Sequence, residues 1–350
     1  MNRSAVIVLA VVGVALALLA GCRAPEQPAQ VTPASGTKVT PNLAPQALKI
    51  AMIAKSSTNP VFLSARTGAE NAAKELSAKH NCQITIDWRT PPTEDGTVQA
   101  QRIAQAVNEG ANCVLISCSD AAKVTGAIGD AVARGVPVMT FDSDAPDSQR
   151  FAFYGVDDIK TGELVLNELA PLIGSKGKVA ILAGNQNAPN LQKRAQGVKQ
   201  AAAKYPGIEI VGPFYHTETP QDAAAEVTRV MNAYPGIRGW AMIGGWPLFT
   251  KSLLTTLDPK KVTVVAVDAL PAELPYIEKG IAPVLLAQPT YKWGYVSVEK
   301  IVDKLVLKTE VPVVNEMELV KITKDNLGTW ARQLKDWGFT DVPDKYLGMK

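Results

Sequence analysis

From Ala47 onward, short apolar runs alternate with longer stretches whose apolar positions recur every third or fourth residue. Leu48–Ala54 is apolar except at Lys49 and reads as a buried strand. Val61–His80 follows with helical spacing at Leu63, Ala69, Ala72, Ala73 and Leu76. Strands are predicted at Ile84–Trp88, Cys113–Ser117, Val136–Phe141 and Phe151–Gly155, with helices at Thr97–Gly110 and Ala121–Arg134 between them. Gly110 and Gly135 fall where helices commonly stop. A second series then begins. Helices are expected at Thr161–Ile173, Leu191–Tyr205, Gln221–Ala233, Trp246–Leu257, Ala272–Gly280 and Tyr291–Leu307. Strands are expected at Lys178–Ala183, Ile208–Val211, Gly239–Ile243, Val262–Val267, Pro283–Ala287 and, last, Glu316–Lys321. Strand–helix alternation of this kind builds parallel sheets covered by helices on both faces, and two successive series imply two such domains. The chain length, 350 residues, fits two.

The first 46 residues follow another pattern. Met1-Asn2-Arg3 is basic, Ala5 to Ala20 is apolar, and Leu19-Ala20-Gly21-Cys22 follows. The apolar run is short for a membrane-spanning helix, which needs about 20 residues. A basic start, a short apolar stretch and small residues before a cleavage point describe an export signal. The last four residues resemble the bacterial lipobox, which implies lipidation of Cys22. Residues 1–21 are therefore expected to be a lipoprotein signal peptide. Residues 22–46 carry Pro25, Pro28, Pro33, Pro41 and Pro45 among Gln, Thr, Ser and Gly, and are expected to be a flexible tether. Together they place the folded part in the periplasm or at the cell surface, held to a membrane only through a lipid.

Composition narrows the partners. Hydrophobic residues make up 47% of the chain and charged residues 20%, which supports a packed core. Basic and acidic residues number 36 and 33, a net charge of +3, so nothing marks a nucleic-acid partner. With only His80 and His216, and no CxxC spacing, no metal site or cofactor is expected. Beyond Cys22 the cysteines are Cys82, Cys113 and Cys118; a Cys82–Cys113 bridge is one option and reduced core thiols the other.

In open parallel sheets, ligands bind beyond the carboxyl ends of the strands. The polar residues there are Lys55 to Asn59, Asp142 to Asp144, Asn185 to Asn190, Gly244 to Trp246, Asp268 and Gln288. A carboxylate such as Asp142 or Asp268 accepts hydrogen bonds from two adjacent hydroxyls, which a sugar or polyol offers. Asn59 and Gln288 add donors and acceptors, and Phe62 and Trp246 suit the apolar faces of a sugar ring. Each has a plainer alternative. An Asp after a strand also caps helices, Asn59-Pro60 is an ordinary helix start, and Phe62 and Trp246 suit a core. Signatures of catalysis are thin. There is no GxSxG elbow and no GxxxxGK[ST] loop, and His216 suits a surface loop as well as a general base. No enzymatic activity is expected.

Several segments, in order, resemble ribose-binding-protein-like periplasmic solute-binding proteins of bacterial sugar ABC transporters. They are Lys49-Ile50-Ala51-Met52-Ile53 with Asn59-Pro60-Val61-Phe62, Val136–Ser143, Arg194-Ala195-Gln196-Gly197, Val264–Asp268, and Ala287-Gln288-Pro289 with Gly294-Tyr295. The resemblance runs from about Ala47 to Val320. It implies an α/β fold of two doubly wound parallel-sheet lobes joined by three hinge crossovers, the type I periplasmic-binding-protein fold. Lobe one would be 47–156 plus 290–315, and lobe two 157–289 plus 316–350 with a C-terminal extension. By motif, Asn59, Phe62, Asp142, Asp268 and Gln288 match ligand-contacting positions. Ser143 stands where ribose binders have Arg, Gln192 where the first arginine of the lobe-two helix stands, and Gly244-Gly245-Trp246 where "N-D" is usual. Those losses argue against ribose itself. Arg194 of that helix remains, Trp246 beside two glycines points to a remodelled pocket with ring stacking, and Asn187, Asn190 and Glu218 lie in loops that could supply replacements. The resemblance implies a lipoprotein that captures a small polyhydroxylated ligand, a monosaccharide, by hinge closure. It would act as a monomer and deliver the ligand to ABC permease and ATPase subunits. The alternative is a sensory co-receptor presenting a bound sugar or furanose signal to a membrane receptor. A sugar-responsive repressor, which shares this fold, is excluded because a signal and tether replace the DNA-binding helices. The 324–350 stretch, with Trp330 and Trp337, is expected to pack as a surface helix.

Overall fold

A computed structural model describes residues 47–254 and 257–349. The expected signal peptide, Cys22 and the tether lie outside the described residues. The chain begins with β1 (Ala47–Ile53), α1 (Pro60–His80), β2 (Gln83–Trp88), α2 (Gly96–Asn108), β3 (Cys113–Ile116), α3 (Ala121–Ala133), β4 (Val138–Phe141) and β5 (Ala152–Gly155). It continues with α4 (Asp158–Leu172), β6 (Gly177–Ala183), α5 (Pro189–Ala202), β7 (Ile208–Tyr215), α6 (Pro220–Ala233), β8 (Ile237–Met242), β9 (Thr263–Val267), α7 (Leu274–Glu278) and β10 (Val284–Ala287). The last elements are α8 (Thr290–Leu305), β11 (Val314–Glu316), β12 (Val320–Ile322), α9 (Leu327–Asp336) and α10 (Asp344–Leu347).

Two six-stranded sheets result, ordered β11-β5-β4-β3-β1-β2 and β12-β10-β9-β8-β6-β7. Every pairing is parallel except β10 with β12. Each sheet is the centre of one lobe. The strand order reverses beside β1 in the first and beside β6 in the second, so a crevice opens beyond their carboxyl ends. The chain leaves the first sheet after β5, returns through α8, and leaves again between β11 and β12.

Close helix contacts fix these returns. A Cβ on Gly294 of α8 would strike the carbonyl of Ala65 in α1, and one on Gly68 the carbonyl of Tyr291. Only glycine lets α8 lie against α1. The same device holds lobe two, where Gly162 of α4 meets the Arg194 carbonyl and Gly197 of α5 meets the Ile159 carbonyl. The glycine of the Arg194–Gly197 motif thus seats α5 and, with it, Arg194.

Three sequence expectations need correction. The described residues of 246–257 form no α-helix; Trp246–Leu248 is a single 3-10 turn with no side-chain cap. Trp246, Leu248 and Leu254 are instead buried in the lobe-two core, and that burial outweighs helical propensity. Glu316–Lys321 is not one strand, because β11 pairs with β5 in one sheet and β12 with β10 in the other. Cys82, Cys113 and Cys118 are all free and buried. Cys82 precedes β2 and Cys113 opens β3, and these strands flank β1 on opposite sides. Two strand spacings of about 4.8 Å separate them, beyond the ~7 Å Cα limit for a disulfide.

The C-terminal extension packs on lobe two. Leu327, Trp330, Leu334 and Tyr346 join its core, and the Trp330 indole N–H donates to the Ala269 carbonyl at 2.7 Å. Trp337 stacks on Tyr291 at the start of α8, with centroids 5.6 Å apart and planes 3° from parallel. The extension therefore touches both lobes. None of the described helices is long and apolar enough to cross a membrane.

Candidate functional site

Strand ends from both lobes deliver the polar side chains of one small cavity. From lobe one come Lys55 and Asn59 of the β1–α1 loop, Phe62 in the first turn of α1, and Asp142 after β4. From lobe two come Asn190, Leu191 and Arg194 of α5, Glu218 before α6, Gly244 and Trp246 after β8, and Asp268 after β9. Gln288, just past β10, and Trp293 of α8 also line it, with Val61 and Phe249.

Asp142 and Asp268 have the same unusual backbone, with φ of 56° and 80°. Positive φ in a residue with a Cβ costs on the order of 1–3 kcal/mol and persists only where surroundings enforce it. Neither residue caps a helix; Asn59, Asp95, Asp120, Asp157 and Thr219 do that by side chain. Asp142 is buried and accepts from Ser117 Oγ at 2.7 Å and, across the crevice, from Asn190 Nδ2 at 3.1 Å. Asp268 accepts from Gln288 Nε2 at 2.9 Å and from the Gly245 amide at 3.2 Å. Burial raises its pKa despite those bonds.

Two buried cations face these carboxylates. Arg194 donates to Asp158 Oδ1 at 2.8 Å, to the Ile243 carbonyl at 3.2 Å and to Gln288 Oε1 at 2.8 Å, and stands 4.0 Å from Asp142. Burial pushes the Asp158 carboxyl up to about 7 against the pull of Arg194. Lys55 is only 3% exposed. Its ammonium lies 4.0 Å from Asp142 Oδ2 and 5.9 Å from the centroid of the Phe62 ring. Burial opposes its charge, but Glu218, Glu94 and Asp142 hold its pKa above the ordinary amine range.

Glu218 accepts from the Trp246 indole N–H at 3.1 Å and the Asn185 amide at 3.0 Å. Glu94 of lobe one faces it, and each carboxyl acts on the charge of the other. Burial, then the charge of Glu218, raises the Glu94 pKa well above the carboxylate range. Burial acts against the Glu218 charge, but Lys55 and then Glu94 hold its pKa below that range.

The aromatic walls are Phe62, stacked on Trp293 at 6.0 Å, and Trp246, whose edge meets His216 at 4.9 Å. Asn59 both caps and lines. Its Oδ1 accepts from the Val61 amide at 3.2 Å, which leaves its amide nitrogen for a ligand. The cavity measures about 30 Å³, room for about two waters.

Nine of the ten residues expected at the ligand site lie together here: Asn59, Phe62, Asp142, Asn190, Arg194, Glu218, Trp246, Asp268 and Gln288. Asn187 does not. Its side chain belongs to the outer rim of the crevice, because the 185–188 turn, closed by an Asn187 amide bond to Asn185 Oδ1, carries it there. Asp144 is also elsewhere, saturated within lobe one by Arg150, Thr140 and the Ala145 amide. Sequence reasoning missed Trp293 and did not single out Lys55, a lysine in an otherwise small and polar loop. Among the described residues, no group of His, Cys, Asp and Glu is placed to hold a metal ion.

The profile of the periplasmic binding protein domain matches residues 50–309. The chain belongs to that family. Its family relatives include a ribose import binding protein of Bacillus subtilis, 29% identical over 144 residues, or 41% of this chain and 45% of that one. A xylose/arabinose-binding protein of Sulfolobus acidocaldarius is 22% identical over 71% of this chain and 63% of its own. The chain thus spans less than two thirds of either relative. A ribose import binding protein of Salmonella typhimurium is 23% identical over 79% of this chain and 90% of its own. Among solved structures, an ABC transporter solute-binding protein of Burkholderia graminis in complex with D-arabinose superposes with a TM-score of 0.74. It is 25% identical and covers 80% of this chain and 96% of its own. A glucose-galactose binding protein of Geobacillus stearothermophilus gives 0.72 at 24% identity, covering 80% and 99%, and supports the fold.

Proposed function

We propose that this protein captures a small polyhydroxylated ligand, with a sugar or polyol ring in the deep cavity, for an ABC importer, and catalyses no reaction. The observation that carries the proposal is the pair Asp142 and Asp268. They come from different lobes, both sit in strained left-handed backbone, and both line one cavity with Lys55, Arg194 and two aromatic walls. Vicinal hydroxyls would donate to the carboxylates and accept from the cations, while Phe62, Trp293 and Trp246 cover the ring's C–H faces. The sugar-binding names of the family relatives agree with this chemistry.

A cavity of about 30 Å³ is too small for a sugar ring, so the ligand enters with the lobes parted. It binds one lobe, the three crossovers flex, and the second lobe completes the hydrogen bonds. Ring hydroxyls take over the bond that Asn190 now makes to Asp142 across the crevice. Only the closed form holds both sets of contacts, so ligand shifts the population toward it. Permease and ATPase subunits would read that form. Within this proposal the protein is monomeric, works outside the cytoplasm, and is held at the membrane by lipid on Cys22. Lobe one comprises 47–156 and 290–315, and lobe two 157–289 and 316–350.

Titration calorimetry against pentoses, hexoses and polyols tests the proposal. A micromolar or tighter ligand is expected, with binding abolished in Asp142→Ala and in Asp268→Ala. Affinity retained in both variants would reject the site.

A further inference from the structure

The crevice does not end at the deep cavity. Past Glu218, which lines both, a second cavity of about 680 Å³ lies between the lobes. Lobe one contributes Ser56, Glu94 and Ser119 to its wall, and lobe two Asn185, His216 and Glu218.

Three buried polar atoms in that wall have no hydrogen-bond partner: Glu94 Oε1, Ser119 Oγ and His216 Nε2. Ser119 is 1% exposed and its backbone is already committed, its amide to Gln99 Oε1 at 2.8 Å and its carbonyl to Asn185 Nδ2 at 3.4 Å. Its hydroxyl alone is left over. His216 Nδ1 is bonded to the Thr217 carbonyl at 2.6 Å. That bond makes Nδ1 the donor, so Nε2 of the neutral ring is an acceptor lacking a hydrogen. Burial, which lowers the His216 pKa, keeps the ring neutral. A buried polar atom left unsatisfied carries an uncompensated desolvation penalty, which a ligand hydroxyl would relieve. The carboxyl groups on this wall, Glu94, Asp95, Asp120 and Glu218, outnumber Lys123 and disfavour an anionic group.

We propose that the outer cavity is a second ligand compartment for a neutral, hydroxyl-bearing unit joined to the ring in the deep cavity. The preferred ligand is then a disaccharide or a glycosyl-polyol rather than a free monosaccharide. The ring in the deep cavity is that of the proposed function, on which this compartment rests. Ser119 donates to or accepts from the second unit, His216 Nε2 accepts one of its hydroxyls, and Glu218 stands between the compartments.

The test is calorimetry with the full chain. The probes are D-glucose, D-galactose, D-xylose and D-arabinose against maltose, cellobiose, lactose, trehalose and glucosylglycerol. At least one two-unit probe is expected to bind tenfold or more tightly than its own units. Ser119→Ala and His216→Phe are each expected to weaken that probe at least fivefold, and Ser119→Ala to leave single-ring affinity unchanged, which also reports intact folding. A monosaccharide that binds as tightly as any two-unit probe overturns the outer compartment. So does two-unit affinity indifferent to both variants. Monosaccharide binding that is lost in Asp142→Ala, with no two-unit probe bound more tightly than its own units, sinks the outer compartment while sparing the deep site. No binding by any probe sinks both.

Discussion

Replacing Lys55 by Met keeps the length of a side chain that is 3% exposed while removing its charge. The ammonium stands 4.0 Å from Asp142 Oδ2. At an effective dielectric of about 20, that separation is worth about 4 kcal/mol of attraction. Deleting one member of a buried pair leaves the other charge uncompensated, typically at about 3–5 kcal/mol. Asp142 keeps its bonds to Ser117 and Asn190 and stays 4.0 Å from Arg194, so the lower end, about 3 kcal/mol, is expected here. Urea unfolding of wild type, Lys55→Met, Asp142→Asn and the double variant measures it as a cycle. The double variant should be more stable than Lys55→Met alone, because it removes the stranded carboxylate. Ligand affinity should fall about 100-fold in Lys55→Met, since the ammonium supplies donors to the cavity. A Lys55→Met protein that unfolds at the wild-type urea midpoint and binds ligand within threefold of wild type would show that Lys55 does neither.

Two further predictions concern pH. Glu94 faces Glu218 and, beyond it, His216 from the β7–α6 loop, Lys55 from the β1–α1 loop, and Asn185 from the β6–α5 loop. Its pKa is raised in this closed form, so the stabilisation it gives is present at low pH and is lost as pH rises through that value. Ligand affinity should therefore fall with rising pH, and Glu94→Gln should flatten the profile; an unchanged slope would contradict a Glu94 carboxyl raised by burial and by Glu218. Arg194→Met strands Asp158, whose carboxyl already titrates at about 7. A raised carboxyl pKa gives stability that is full below about pH 4 and is lost through its folded value, so the penalty should be larger at pH 8 than at pH 5. About 3–5 kcal/mol is expected by urea unfolding at pH 8, and a loss below about 1 kcal/mol there would refute the buried ion pair.

Strands in doubly covered sheets are apolar on both faces, so β1, β3, β4, β6 and β9 stand out as near-continuous runs, and the strand-end rule then points to Asp142 and Asp268. Lys55 was less visible because nothing near it in the chain marks it as buried. The carboxylates that hold it, Glu94, Asp142 and Glu218, come from distant loops of both lobes. Trp293 reads as one more apolar position on an amphipathic helix; only the Gly68 and Gly294 contacts, which press α8 onto α1, bring it beside Phe62. The Cys82–Cys113 option depended on sheet order, which local spacing does not encode. The Trp246 segment has apolar residues enough for a helix but no capping side chain, and the core claims them in a turn.

Arg194 shows how site and hinge are joined. It grows from α5 of lobe two, yet bonds to Asp158 just past the first crossover and to Gln288 at the second, and it stands 4.0 Å from Asp142 of lobe one. A ligand hydroxyl on Asp142 therefore acts on the same guanidinium that anchors two of the three connections between lobes. Without ligand, closure is held by Asn190 to Asp142 and by Asn185 to Glu94 and Ser119. Bonds of this kind contribute about 0.5–1.5 kcal/mol each, and more where an acceptor is charged. Their sum is a few kcal/mol, the range in which open and closed forms are both populated. A ligand that merely replaced them would not change the balance. It must make more bonds across the crevice than the lobes make to each other, and the donors and acceptors left over around Asp142, Lys55 and Asp268 are where that excess has to come from.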